Sequence, residues 1–303
     1  MKYRLHHLLL FFVCCARSAV ADTVDDVLTK DPPEHWSHPA SIVELEIPSH
    51  GERLPAHIYL ASGPGPHPTV VFLHGFPGNE RNLDLAQALR RFGFNTLFFH
   101  YRGAWGATGQ FRFSHLPEDA LAVLDYLRDD FQSRRLRVDA DNLSVLGHSL
   151  GGYTALATGA RDDALRCVMA LAPANLGGWK AGLARENDPA VQRLSAYADS
   201  LFMLRGLNGV GLQEELATTD MALLDTRAFG TDLRGRQVLM VVGEGDNVTP
   251  ADTMFDPVVA AYDKAGVSVT SLKLPGDHSF STSRIMLTRE ILSWSDTHCR
   301  GPN

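Results

Sequence analysis

Cysteine is scarce in this chain: there are four in 303 residues, and two of them, Cys14 and Cys15, fall in the apolar N-terminal stretch. No cysteine–histidine group has the spacing of a metal site, so no metal centre is expected. Sustained apolar runs are missing beyond the N-terminus, which excludes a polytopic membrane protein. An excess of positive charge is missing too. With 28 basic against 35 acidic residues the net charge is -7, which argues against nucleic acid and anionic membrane surfaces as partners. No internal repeat or low-complexity tract is present. What remains is a 45% hydrophobic, 21% charged composition, enough apolar mass to bury a large core in one large domain or two small ones.

Residues 1–21 read as a secretory signal. Lys2 and Arg4 supply the positive start, Leu8 to Ala16 the apolar run, and Ala19-Val20-Ala21 a small-x-small site with cleavage after Ala21. The mature protein is therefore expected to be secreted or periplasmic, with no stable membrane insertion. Cleavage removes Lys2, Arg4 and Arg17 and no acid, which takes the charge from -7 to -10. It leaves Cys167 and Cys299. An exported chain permits a disulfide, but two cysteines this far apart in sequence do not establish one.

Residues 22–40, with Pro32, Pro33 and Pro39, read as a loose lead-in. Strands and helices then alternate. Ile42 to Ile47 and Ala56 to Leu60 flank a Ser49-His50-Gly51 turn. Thr69 to Leu73 is a continuous apolar run of the kind buried on both faces. A helical pattern covers Asn79 to Phe92, and Thr96 to Phe99 is the next strand. A helix follows Pro117, then a strand Leu143 to Leu146, a helix from Leu150, and a strand Val168 to Ala172. The strand Val238 to Val242, a helix near Asp252 to Ala265, the strand Val267 to Leu274 and a helix Ser283 to Trp294 complete the pattern. This alternation predicts an α/β fold, a mostly parallel sheet with helices on both faces. Residues 175–230 interrupt it and are too long for a simple connection. They are expected to form a mainly helical cap inserted in a core of residues 41–174 and 231–303.

The chemistry concentrates where parallel strands end. In Gly147-His148-Ser149-Leu150-Gly151-Gly152 a serine sits between a strand and a helix, on a turn too tight for bulk two residues before or after it. The following helix aims free amides at the reacting oxygen. Ser149 as nucleophile needs a base, and the base needs an acid to orient it. His278, in Pro275-Gly276-Asp277-His278-Ser279, follows the last strand. Asp246, in Gly243-Glu244-Gly245-Asp246-Asn247, follows the strand before it, with Glu244 and Asp252 as competing acids. His148 reads as a core histidine. His74-Gly75-Phe76-Pro77-Gly78 follows the strand ending at Leu73, and the backbone N–H groups of Phe76 and Leu150 are assigned to an oxyanion hole. His74 is expected to hold that loop by hydrogen bonds.

With these motifs together, the chain resembles the α/β-hydrolase fold serine hydrolases over residues 70–280. The stretch Tyr101-Arg102-Gly103-Ala104-Trp105-Gly106 is similar to the Arg-Gly loop of dienelactone-hydrolase-like and acyl-peptidase-like members, although loop geometry alone accounts for it. The resemblance implies the α/β-hydrolase fold and a hydrolase of carboxylic esters or related acyl compounds. Its substrate is a small acyl compound, and the chemistry requires no metal or organic cofactor. Trp179, Leu201, Phe202, Met203 and Leu204 are the cap's apolar candidates for walling the pocket. Two alternatives stand beside this reading: a peptidase or acyltransferase using the same three residues, and a non-catalytic binding protein on the same scaffold.

Overall fold

The computed structural model describes residues 23–33, 35–185 and 188–301. The expected leader, residues 1–21, lies outside the described residues. An eight-stranded sheet runs in the order β1-β2-β4-β3-β5-β6-β7-β8. Its strands are β1 Ser41–Ser49, β2 Glu52–Leu60, β3 His67–Leu73, β4 Asn95–Phe99, β5 Val138–His148, β6 Cys167–Leu171, β7 Gln237–Gly243 and β8 Ser268–Leu274. β2 is antiparallel to both neighbours, and every pairing from β4 to β8 is parallel.

The helices are α1 Val24–Thr29, α2 Leu83–Arg91, α3 His115–Arg128, α4 Asp130–Arg135, α5 Leu150–Gly159, α6 Leu176–Leu183, α7 Pro189–Asp199, α8 Gly209–Thr218, α9 Met221–Leu224, α10 Asp256–Ala265 and α11 Arg284–His298. Successive strand residues serve opposite faces. Val71 and Leu73 of β3 join the core under α3, α5 and α10, whereas Val70 and Phe72 join the one under α1, α2 and α11. Covered on both sides, β3 carries no polar face to solvent, which is why its sequence reads as an apolar run rather than an alternation.

Several elements depart from the sequence reading, among them α1, α2 and β5. α1 forms inside the expected lead-in, capped by the Thr23 hydroxyl and docked through buried Val27. α2 begins at Leu83 rather than Asn79, because Asn82 takes a left-handed φ of 53° that a helix cannot continue through. β5 starts well before Leu143. Its first half, Asp139 to Asn142, is polar and half-exposed and hides the strand from a hydrophobicity pattern.

Cys167, at the start of β6, is bonded to Cys299, just past α11, with a Cα–Cα distance of 5.7 Å. Both are fully buried. The bridge pins α11, whose Leu287, Ile291 and Leu292 are buried under the sheet. It closes a loop spanning a sequence separation of 132. Replacing both cysteines by alanine should cost about 2–4 kcal/mol of unfolding free energy, because the unfolded chain regains that loop's freedom. Urea unfolding of the double variant would show a lower midpoint, and an unchanged midpoint would show that the bridge contributes nothing.

β3, β5, β7 and β8 all end at one edge of the sheet, and the loops after them begin at His74, Ser149, Glu244 and Pro275. α6–α9 and a 3-10 turn, Thr226–Gly230, fall between β6 and β7. They tie back to the loop after β4. Trp105 donates its backbone N–H to the Met203 carbonyl at 2.9 Å, Arg205 to Gly103 at 2.7 Å, and Phe111 to Arg205 at 2.9 Å.

Candidate active site

The turn from β5 into α5 holds Ser149 at φ 60°, ψ -119°, a conformation L-residues adopt only when their surroundings force it. Those surroundings are visible. The Ser149 N–H donates to the Leu171 carbonyl at 2.8 Å, and its own carbonyl accepts from Gly152 at 2.9 Å and Ala174 at 3.0 Å. A Cβ at Gly147 would collide with the Gly151 carbonyl, and one at Gly151 with the Leu73 carbonyl. The two glycines are thus demanded by close backbone approach, which lifts the serine off the sheet edge.

The loop after β3 passes directly over this serine. A Cβ at Gly75 would sit 3.1 Å from Ser149 Cβ and 3.6 Å from its Oγ. Among the described residues, neither the Phe76 N–H nor the Leu150 N–H has an acceptor. His74 braces the loop from below, with Nδ1 2.9 Å from the Gly75 carbonyl and its ring 4.5 Å from that of Tyr101.

Asp246 and His278 meet directly, with Nδ1 2.8 Å from Asp246 Oδ2. The Asp246 side chain is 0% exposed and that of His278 17%, so the ring alone reaches the open side. Asp246 also accepts the backbone N–H groups of Val248 at 2.8 Å and Thr249 at 2.9 Å, and lies 2.7 Å from the Thr249 hydroxyl. Burial by itself would raise the carboxyl pKa. The hydrogen bonds from His278 and Thr249 outweigh it and hold the pKa down at about 2. Glu244 and Asp252 are exposed, and among the described residues neither is hydrogen-bonded to the His278 ring, whose partners are Asp246 and Thr249. Asp277, also exposed, turns away to the N–H groups of Ser279 and Ser281.

Among the described residues no hydrogen bond joins Ser149 Oγ to His278. The two are connected instead through His148, whose Nε2 donates to the His278 carbonyl at 2.8 Å and whose ring lies 4.8 Å from the His278 ring. Sequence reasoning missed both this contact and Thr249. For Thr249 a signal was available: an aspartate three residues before a threonine, in a turn after a strand, is a familiar side-chain-to-backbone capping pattern.

The other expected residues fall as follows. Arg102 is buried, its Nε 2.6 Å from Asp119 Oδ1 and its Nη2 2.6 Å from Glu118 Oε2. It anchors α3 rather than facing Ser149. Among the apolar candidates at 179 and 201–204, Leu204 is buried, Trp179, Leu201 and Met203 pack on the core, and Phe202 is 91% exposed. The aromatic that reaches the loop after β3 from this segment is Tyr197 of α7, 5.8 Å from the Phe76 ring. Phe111 and Phe113 flank the same ring at 6.0 and 5.9 Å.

Burial pushes His74 and His148 down from 6.5 to about 4, so both are neutral near neutrality. The unfolded chain binds protons at these rings below pH 6.5, and the folded chain resists until about pH 4. Stability should therefore fall as pH drops through that window, by on the order of 3 kcal/mol per ring at its lower end. Loss of the ionised Asp246 adds to this below about pH 4. Chemical denaturation at a series of pH values checks it, and a flat profile between neutrality and pH 4 would contradict the burial of these rings.

The model of the alpha/beta hydrolase family matches residues 70–284. Among solved structures, Est1E from Butyrivibrio proteoclasticus with ferulic acid bound superposes with a TM-score of 0.66 at 20% identity, over 84% of this chain and 98% of that one. An acylaminoacyl peptidase from Pyrococcus horikoshii gives 0.63 at 13% identity, over 87% of this chain and 43% of its own. At such identities the likeness is one of fold. A curated relative, the uncharacterized 31.7 kDa protein of the traX-finO intergenic region in Escherichia coli, is 29% identical over 109 residues. That match spans 34% of this chain and 36% of the relative. Among the described residues no helix is long and apolar enough to cross a membrane.

Proposed function

The chain belongs to the alpha/beta hydrolase family, and from that premise we propose that it is a serine hydrolase of carboxylic esters or related acyl compounds. Ser149 Oγ attacks the acyl carbon while His278 Nε2 takes its proton. Asp246 keeps the other ring proton on Nδ1 and offsets the imidazolium charge. The carbonyl oxygen, now negative, is received by the N–H groups of Phe76 and Leu150, each worth about 100- to 1000-fold in rate. Collapse expels the alcohol, which takes the proton from His278. Water, deprotonated by His278, then cleaves the acyl-enzyme. The Ser149–His278 hydrogen bond forms in the substrate-bound state, as such contacts commonly tighten only there.

The observation that carries this reading is the 2.8 Å Asp246–His278 bond beside a strained serine under a loop with free N–H groups. The cap at 175–230 walls the pocket, with Tyr197 and the Phe76 cluster offering aromatic surface to the acyl or alcohol group. The buried Cys167–Cys299 bridge supports an oxidising, exported setting, with the mature chain beginning at Asp22. Terminal sequencing of the periplasmic or secreted protein tests that.

The activity is tested with p-nitrophenyl esters of graded chain length beside aminoacyl-nitroanilides, together with a fluorophosphonate probe. Ester turnover and labelling of Ser149 are expected. Faster turnover of the anilides would turn the reading to a peptidase, and no labelling would turn it to a binding protein.

A further inference from the structure

We propose that His148, the residue just before the nucleophile, is a positioning residue that sets where His278 stands relative to Ser149. The inference rests on the serine-hydrolase reading above. His278 lies in a loop, outside any strand or helix, and its ring must be placed accurately without a regular element to carry it. The loop is held at its margins. The Glu244 N–H donates to the Leu274 carbonyl at 2.8 Å, Gly245 to Gly276 at 2.9 Å, and Arg284 Nη1 to Ser279 at 3.2 Å. At His278 itself, the one main-chain hydrogen bond among the described residues is the 2.8 Å contact from His148 Nε2.

His148 is well suited to this. It ends β5, is 4% exposed, and its backbone continues directly into Ser149. A carbonyl acceptor requires the proton on Nε2, so the bond also selects the ring's tautomer. The tether therefore runs from the nucleophile's own main chain to the main chain of the base. Asp246 controls the tilt of the His278 ring from behind, and His148 controls the height of its backbone from beside. A side chain without a donor at 148 leaves the carbonyl unpaired and frees the loop to drift, and a misplacement of even an ångström at the reacting atoms is costly.

Three variants test this on the intact protein with a p-nitrophenyl ester. His148→Phe keeps ring volume without a donor, and its kcat should fall about 10- to 100-fold with KM little changed. His148→Gln, which can still donate from a similar reach, should recover kcat to within about threefold of the parent. His148→Asn, too short to reach the carbonyl, should behave like Phe and stands in for it if Phe does not fold. Folding is followed by the urea midpoint, which a purely structural role would lower without this split between kcat and KM. A folded Phe or Asn variant with parental kcat, or a Gln variant as impaired as Phe, overturns the proposal. If Ser149→Ala retains activity, the underlying reading fails instead. If Ser149→Ala is inactive while His148→Phe turns over normally, only this inference fails.

Discussion

Ser149→Ala should lower ester turnover by about 10⁴-fold or more while leaving the fold intact. In the proposed mechanism, removing the Ser149 hydroxyl leaves only the oxyanion donors and substrate binding, and residues acting as a unit lose nearly everything with the first member removed. The fold should survive because the side chain is only half-buried and none of the hydrogen bonds that hold the turn uses Oγ. They run through the Ser149 backbone, which alanine keeps. Alanine also inherits the strained φ of 60°, so that cost is the same before and after. The change in unfolding free energy should stay within about 1 kcal/mol. Activity near the parental rate would refute Ser149 as nucleophile. A protein that no longer folds would show that the hydroxyl is structural. The variant should also fail to react with the fluorophosphonate probe.

Asp246→Asn should lower kcat by about 10³- to 10⁴-fold with little change in KM, through the wrong tautomer rather than lost packing. The amide oxygen of asparagine can still accept the N–H groups of Val248 and Thr249, so the loop keeps its shape. The amide nitrogen then faces His278 Nδ1 across the 2.8 Å now spanned by Nδ1–H and carboxylate. Two donors cannot share that gap, so the ring proton moves to Nε2, the atom that accepts from Ser149 in the proposed mechanism. Crystals of the variant should show an unmoved ring. Parental rates would reassign the acid, and Glu244 and Asp252, exposed and among the described residues without a hydrogen bond to the ring, would have to be brought in by movement.

The site was legible in the sequence to different depths. Ser149 was visible because the glycines at 147 and 151 answer local crowding within one turn. Its place after a strand and the order serine, aspartate, histidine point to Asp246 while leaving Glu244 and Asp252 in competition, and nothing in the sequence shows that its carboxylate is enclosed and fed by Val248 and Thr249. The helix limits at Asn82 and the start of β5 escaped for opposite reasons. One depends on a single residue's φ, and the other on polar residues in an irregular stretch of β5, between the pairing of Val138 with His67 and that of Leu143 with Thr69.

The order of strands and helices, the serine's turn and the strand-end loops were determined along the chain itself, since each depends on neighbours a few residues away and on the period of apolar side chains. The tertiary structure decided everything that needed two distant segments to meet. It bonded Cys167 to Cys299, set His148 against the His278 carbonyl, and brought Tyr197 to Phe76. The physical reason is that such contacts are fixed by how the sheet twists and the helices pack, and strand pairing carries no mark in the local sequence of which side chains will face one another across the gap.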